Sequence, residues 1–231
     1  MQPTARDTAP PASRLALIGA GFAALLGCLL VFGAIAEDVH EQEANALDAL
    51  ATPLLHSLSN PTLDAVMGGI TQLGSPVVVV PILVAALVLL VWQGRRREAL
   101  FLTILLAGSL ILNQSMKLIF ERPRPQLTWA KVIPEYSFPS GHAMNSLVFY
   151  VGLALIVWVV WGRRAGLIAL VAAIGLALLI GVSRIYLGYH YFTDVVGGFL
   201  AGAAWLLIVV AAFDGGILSP GQRRERAVPP S

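Results

Sequence analysis

Six long apolar runs dominate the pattern of hydrophobic and polar residues along the chain. The runs are continuous rather than alternating, which favours helices over the strands of a membrane barrel. A spanning helix needs about 20 mostly apolar residues, and each run is close to that length. The pattern therefore predicts an all-α fold, a bundle of six transmembrane helices at about residues 15–36, 76–93, 98–120, 142–161, 165–182 and 195–213.

The composition agrees with a lipid environment. Of the 231 residues, 57% are hydrophobic and only 12% are charged, whereas a soluble domain carries roughly 25% charged residues. Basic residues occur in tight clusters that border the apolar runs or lie in the C-terminal tail, which is unlike a nucleic-acid-binding face. We therefore expect the bilayer, and not nucleic acid, as the chain's surroundings.

The clustered arginines also predict an orientation. Cytoplasmic loops carry an excess of Lys and Arg. With both termini cytoplasmic, ten of the fifteen basic residues lie inside: Arg6, Arg14, Arg95, Arg96, Arg97, Arg163, Arg164, Arg223, Arg224 and Arg226. The predicted organisation is a cytoplasmic tail at 1–14, one membrane domain at 15–213 and a second cytoplasmic tail at 214–231, in the inner or plasma membrane of a bacterium.

The chain around the first span leaves two alternatives open. Ala34-Ile35-Ala36 resembles a signal-peptidase site, but the preceding apolar run is longer than a signal peptide's, so an uncleaved anchor is expected. Between spans one and two, residues 40–58 carry apolar positions at helical spacing and predict an interfacial amphipathic helical segment. That segment lies along the outer interface or forms a lid beside a site, and Pro53 either kinks it or starts a second helix.

Three polar segments interrupt the apolar pattern at related places. They are residues 117–125 at the end of span three, residues 139–142 at the start of span four, and residues 183–194 between spans five and six. Span counting puts all three at the outer, periplasmic or extracellular face. Charged residues inside a membrane are costly and usually functional, so this convergence predicts a site.

The residue types at this site suit a phosphate. Lys117 offers a compact positive charge, and Arg124 and Arg184 offer planar forks that match phosphate oxygens. Ser140 and Gly141 precede a helix, where free backbone N–H groups favour an anion. Arg122, by contrast, is expected to be a solvated or headgroup-facing charge.

Two histidines complete the predicted site. His190 and Asp194 are four residues apart, so a carboxylate can hold one ring nitrogen and leave the other free to attack phosphorus. His142 can then protonate the leaving oxygen as a general acid. This chemistry requires no metal or other cofactor.

These residues carry a resemblance to a known family. Three stretches of the chain resemble, in this order, the three motifs of the type 2 phosphatidic acid phosphatase superfamily. They are Lys117, six residues and Arg124-Pro125; Pro139-Ser140-Gly141-His142; and Ser183-Arg184, five residues, His190, three residues and Asp194. The resemblance implies that His190 forms a phosphohistidine, that Asp194 orients it and that His142 acts as acid and then as base. It implies Lys117, Arg124, Ser140, Gly141 and Arg184 as phosphate ligands.

The predicted function is therefore a membrane lipid phosphatase. Candidate substrates are phosphatidic acid, phosphatidylglycerophosphate and undecaprenyl diphosphate, and the sequence does not choose among them. Two other functions remain open on the same scaffold: transfer of the phosphoryl group to a second lipid, and non-enzymatic lipid binding or transport. The oligomeric state is not predicted.

Overall fold

The structure is a computed structural model that describes residues 12–41 and 45–213. Within these ranges every regular element is a helix: α1 Ala12–His40, α2 Ala46–His56, α3 Pro61–Leu73, α4 Pro76–Trp92, α5 Arg96–Phe120, α6 Gly141–Trp161, α7 Arg163–Tyr186 and α8 Phe192–Phe213. The predicted all-α fold is confirmed. Most of both predicted tails, including Arg6, Arg223, Arg224 and Arg226, lies outside the described residues.

The six predicted spans correspond to five single helices and one bent pair. The helices α1, α5, α6, α7 and α8 are each long and apolar enough to cross a membrane. The prediction for residues 76–93 needs correction, because α4 has only 17 residues and joins α3 at a 41° bend to form the sixth candidate span. Pro76 explains the break, since its ring disfavours a helical residue before it and Ser75 is extended.

The amphipathic segment predicted between spans one and two is helix α2. The side-chain oxygen of Asn45 caps it by accepting a hydrogen bond from Leu47 N at 2.9 Å. Pro53 lies inside α2, so the alternative that a second helix begins there is wrong. The apolar face of α2 packs through Ala51 and Leu55 on the ends of α6, α7 and α8.

The bundle has apolar side chains both inside and outside. Phe101, Leu102 and Leu105 of α5 pack with Val148 and Phe149 of α6 in the largest buried cluster. Large apolar residues such as Val77, Ile111 and Val171 are exposed along the helices. An exposed apolar belt is stable only in a solvent that is itself apolar, which agrees with an integral membrane protein.

Helices α6 and α8 approach each other closely at glycines. A Cβ atom at Gly198 would lie 2.7 Å from the backbone oxygen of Ser140, and one at Gly202 would lie 3.1 Å from that of Met144. Only small residues permit such an approach. At Gly19, Gly27 and Gly33 of α1, by contrast, a Cβ would meet no atom of the described chain within 4 Å.

The two ends of the bundle differ in charge. At one end, α4 connects to α5 beside Arg95, Arg96 and Arg97, and α6 connects to α7 beside Arg163. Helix α8 ends there too, and Arg97 donates to Phe213 O at 3.1 Å. The other end collects α2, the ends of α5 and α7, and the starts of α6 and α8. The three polar segments therefore meet at one end, opposite the arginine clusters.

Candidate active site

The last turn of α5 and the loop after it supply two cations. Lys117 is 6% exposed, and its Nζ lies 3.2 Å from Oε2 of Glu135. Glu121 ends α5 in a left-handed conformation (φ 46°), which turns the chain toward Arg122-Pro123-Arg124. Nη2 of Arg124 lies 3.9 Å from the same Glu135 oxygen. Lys117 and Arg124 thus face one anionic group, and the hydrogen bond from Lys117 holds the pKa of Glu135 below its usual value.

The start of α6 presents a helix N-terminus beside these cations. Ser140 is fully buried and caps the helix, and its N–H donates to the backbone oxygen of Asp194 at 2.9 Å. A side chain on Gly141 would meet Asn113 Oδ1 at 2.8 Å, so the position accepts only glycine without rearrangement. Asn113 of α5 also donates to Pro139 O at 3.1 Å, which fixes the chain before α6.

Arg184 enters from the last turn of α7. It is 5% exposed, and its Nη1 donates to Thr71 Oγ1 of α3 at 2.9 Å. Its guanidinium carbon lies 4.5 Å from the centre of the Tyr189 ring. Its buried Nε has no hydrogen-bond partner among the described residues, so it is a donor available to an anionic ligand.

His190 follows α7 and is 1% exposed. Its Nε2 lies 3.1 Å from Arg124 Nη1, and its Nδ1 lies 3.3 Å from Asp194 Oδ2. A guanidinium has donors only, so Nε2 accepts from Arg124, and the proton of the neutral ring is on Nδ1. The lone pair of Nε2 therefore lies on the side of the basic residues, while Asp194 holds the opposite nitrogen.

The environment of His190 favours the neutral ring. Burial lowers the pKa of His190 to about 4; the Asp194 carboxylate opposes this shift, and Arg124 and Arg184 add to it. His190 is therefore unprotonated at neutral pH. A histidine can attack phosphorus only in this form.

His142 lies in the first turn of α6, within electrostatic range of His190 and of Arg124 and Arg184. It is partly exposed. Gly74, between α3 and α4, faces it, since a Cβ there would lie 3.2 Å from His142 Cδ2. The structure thus gathers the eight predicted site residues at one end of the bundle.

Four residues at the site were not predicted. Ser137 donates to Asp194 Oδ2 in a short hydrogen bond, and Glu135 pairs with Lys117. The expectation that Arg122 is a solvated or headgroup-facing charge is wrong: it bonds Asp194 and Asp48, and its side chain is 14% exposed. The signal for Arg122 was weak, because a second arginine beside Arg124 in the sequence has the same appearance whether it is buried or exposed.

Comparisons with known sequences agree with this geometry. The sequence profile of the PAP2 superfamily matches residues 98–216. Phosphatidylglycerophosphatase B of Bacillus subtilis is 29% identical over 188 residues, which cover 80% of this chain and 92% of the relative. Undecaprenyl-diphosphatase BcrC of the same organism is 29% identical over 150 residues, covering 62% of this chain and 72% of the relative.

A solved structure shares the fold. The crystal structure of a transmembrane PAP2-type phosphatidylglycerolphosphate phosphatase from Bacillus subtilis superposes with a TM-score of 0.75 at 28% sequence identity. The match covers 83% of this chain and 96% of that one. The likeness therefore extends over most of this chain and nearly all of that one.

Proposed function

Because the chain belongs to the PAP2 superfamily and is a membrane enzyme of the lipid phosphatase class, we propose that it hydrolyses a lipid phosphate monoester or diphosphate through a phosphohistidine on His190. The observation that carries this proposal is the pair of contacts made by His190. Arg124, a donor-only group, lies at Nε2, and Asp194 lies at Nδ1. Nε2, whose lone pair is proposed to attack phosphorus, therefore lies beside the basic residues.

The basic residues hold the phosphoryl group in this proposal. Lys117, Arg124 and Arg184 neutralise its oxygens, and the N–H groups at the start of α6, after Ser140, bind the charge that develops in the transition state. Lys117 and Arg124 already pair with the Glu135 carboxylate. A phosphate that binds there therefore competes with Glu135 for both cations.

The reaction has two displacements. Nε2 of His190 attacks phosphorus, the P–N bond forms, and the bond to the lipid oxygen breaks as His142 donates a proton to that oxygen. His142 then removes a proton from water, whose oxygen attacks phosphorus and breaks the P–N bond. This second displacement releases inorganic phosphate, and His190 returns to its neutral form. The leaving group of the first displacement is the lipid alcohol when the substrate is a monoester and the lipid monophosphate when it is a diphosphate.

Substrate choice is tested by a screen. The relatives are named for phosphatidylglycerophosphate and undecaprenyl diphosphate, and phosphatidic acid shares the same reacting group. Phosphate release is measured from each lipid in detergent micelles, with the His190→Ala protein as the blank. Release from at least one lipid above the blank supports the proposal. Release from none, with folded protein, contradicts it.

We predict that turnover does not depend on a divalent metal. Three side-chain cations, Lys117, Arg124 and Arg184, supply the positive charge that metal ions supply in other phosphatases. The rate of phosphate release is expected to change less than about twofold after EDTA treatment, since no ion takes part in binding. A loss of activity in EDTA that magnesium restores would assign the reaction to another class.

We also propose that the site faces the periplasm or extracellular medium and that both termini are cytoplasmic. A cysteine at Lys131, in the loop beside the site, is then labelled by an impermeant maleimide in intact cells, and a cysteine at Arg163 only after the membrane is opened. Both positions are exposed, and Cys28→Ser removes the one native thiol. The reverse labelling pattern would overturn the orientation.

A further inference from the structure

The carboxylate behind the proposed nucleophile is held by a residue outside the predicted site. Oδ2 of Asp194 faces His190 and accepts from Tyr191 N at 2.8 Å and from Ser137 Oγ. Its other oxygen, Oδ1, accepts from Arg122 Nη1 at 2.7 Å. Asp194 is fully buried, so each of these donors limits how its carboxylate can turn.

Arg122 bridges Asp194 to a second carboxylate. Its Nη2 donates to Asp48 Oδ2 at 2.7 Å, and its guanidinium carbon lies 4.2 Å from the centre of the Tyr191 ring. The two ends of one planar fork thus bind two acids, which a lysine ammonium cannot do with the same geometry. Asp48 belongs to α2, the interfacial helix, 146 positions before Asp194 in the chain (194 minus 48).

Asp48 also fixes the start of α8. It is 7% exposed, and its oxygens accept from Thr193 N at 2.8 Å and from Thr193 Oγ1 at 2.6 Å. A carboxylate is favoured at a helix N-terminus, and this one comes from another helix. Asp48 of α2 therefore accepts three hydrogen bonds that hold the first turn of α8. Two come directly from Thr193, and the third comes from Arg122, which also binds Asp194.

We propose that Asp48 and Arg122 are positioning residues that fix the orientation and the net charge of Asp194 behind His190, so that α2 forms part of the support of the nucleophile. One guanidinium between two carboxylates leaves a net charge of about −1 on the Nδ1 side of the ring. Without Asp48 that charge falls to about zero, and without Arg122 it becomes about −2. The inference rests on the proposed function, since it concerns the same histidine.

This arrangement predicts opposite effects of two neutralising substitutions. Within residues 12–41 and 45–213, the charged or titratable groups that interact electrostatically with His190 include Arg124, Glu135, His142, Arg184 and Asp194. With these unchanged, Asp48→Asn removes negative charge, so the pKa of His190 falls and the acid limb of kcat/KM moves to lower pH. Arg122→Gln removes positive charge and moves the limb to higher pH. The double variant restores the net charge and leaves the limb near that of the parent.

The experiment measures kcat/KM against pH and the rate of phosphohistidine formation for the three variants. We expect shifts of about half a pH unit or more in each single variant, and slower phosphorylation with KM changed less than about twofold in Asp48→Asn. Leu55→Ala is the matched control, because it loosens the packing of α2 without touching these charges. The inference is overturned if the acid limb of kcat/KM shifts in the same direction in both single variants, or shifts in neither. It is also overturned if Leu55→Ala has the same pH profile as Asp48→Asn.

Folding is checked separately. If a single variant does not fold, the double variant is compared with Arg122→Lys, which keeps the charge but not the bridge. Both proteins are then expected to form the phosphohistidine more slowly than the parent, because neither keeps the bridge, while their acid limbs stay near that of the parent, because both keep the net charge. A parent-like rate of phosphorylation in both overturns the inference. A parent protein that releases phosphate from no lipid refutes the proposed function instead, so the two failures are distinguishable.

Discussion

Replacing His190 with alanine is expected to lower phosphate release by about ten-thousand-fold or more, because the substitution removes the atom proposed to accept the phosphoryl group. The protein is expected to remain folded. Asp194 keeps its hydrogen bonds from Arg122, Ser137 and Tyr191 N, so its buried charge is not left without donors. The measurement is phosphate release in detergent, with the elution profile and Tm of the variant as checks on folding.

The matched control is His40→Ala, a substitution of an exposed histidine at the same end of the bundle. It is expected to keep the parent's activity. Brief reaction of the parent with a substrate labelled in its phosphate, followed by an alkaline quench, should leave label on the protein, since a phosphohistidine is labile to acid but not to base. Activity retained in purified His190→Ala would refute the assignment of the nucleophile.

Replacing His142 with alanine is expected to lower steady-state turnover of lipid phosphates by about a hundred- to ten-thousand-fold, the usual contribution of a general acid or base. The two displacements respond differently to the leaving group. Nitrophenolate departs without a proton, so His142→Ala should still phosphorylate His190 when 4-nitrophenyl phosphate is the substrate. Hydrolysis of the phosphohistidine still lacks its base. The variant should therefore release about one nitrophenolate per protein in a burst and then turn over slowly.

Stopped-flow absorbance measures this burst. His190→Ala, which has no group to phosphorylate, should give none, and the parent should show a fast steady state. His142→Ala could instead lose activity equally on nitrophenyl and lipid phosphates and show no burst. That result would contradict the assignment of His142 as acid in the first step and base in the second.

Much of the fold and the candidate site could be predicted from sequence. Apolar runs of about 20 residues mark spans because lipid cannot satisfy a polar backbone, and the parity of spans brings distant segments to one face. The site residues were predicted because Lys117, Arg124, Ser140 and His190 occur at fixed spacings within motifs, and their roles stay predictions until the variants are measured.

The remainder depends on tertiary contacts that local patterns do not encode. Asp48 is one acid among several on an amphipathic helix, and only the placement of α2 over the start of α8 brings it to Arg122. Helix α3 contains Thr62, Asp64, Gly68 and Gly69, so it lacks the continuous apolar run that predicts a span. It becomes a candidate span only in combination with α4.

The separation of the apolar belt from the polar end has a consequence for membrane adaptation. On α7, Ile168, Val171 and Leu178 are exposed, whereas Arg184 is buried at the polar end of the same helix. Substitutions that lengthen or shorten the exposed apolar belt can therefore match the protein to bilayers of different thickness without touching the predicted phosphate ligands. The lipid composition of the host and the chemistry of the reaction can thus change independently in evolution, and expression in a foreign membrane can be optimised on the belt alone.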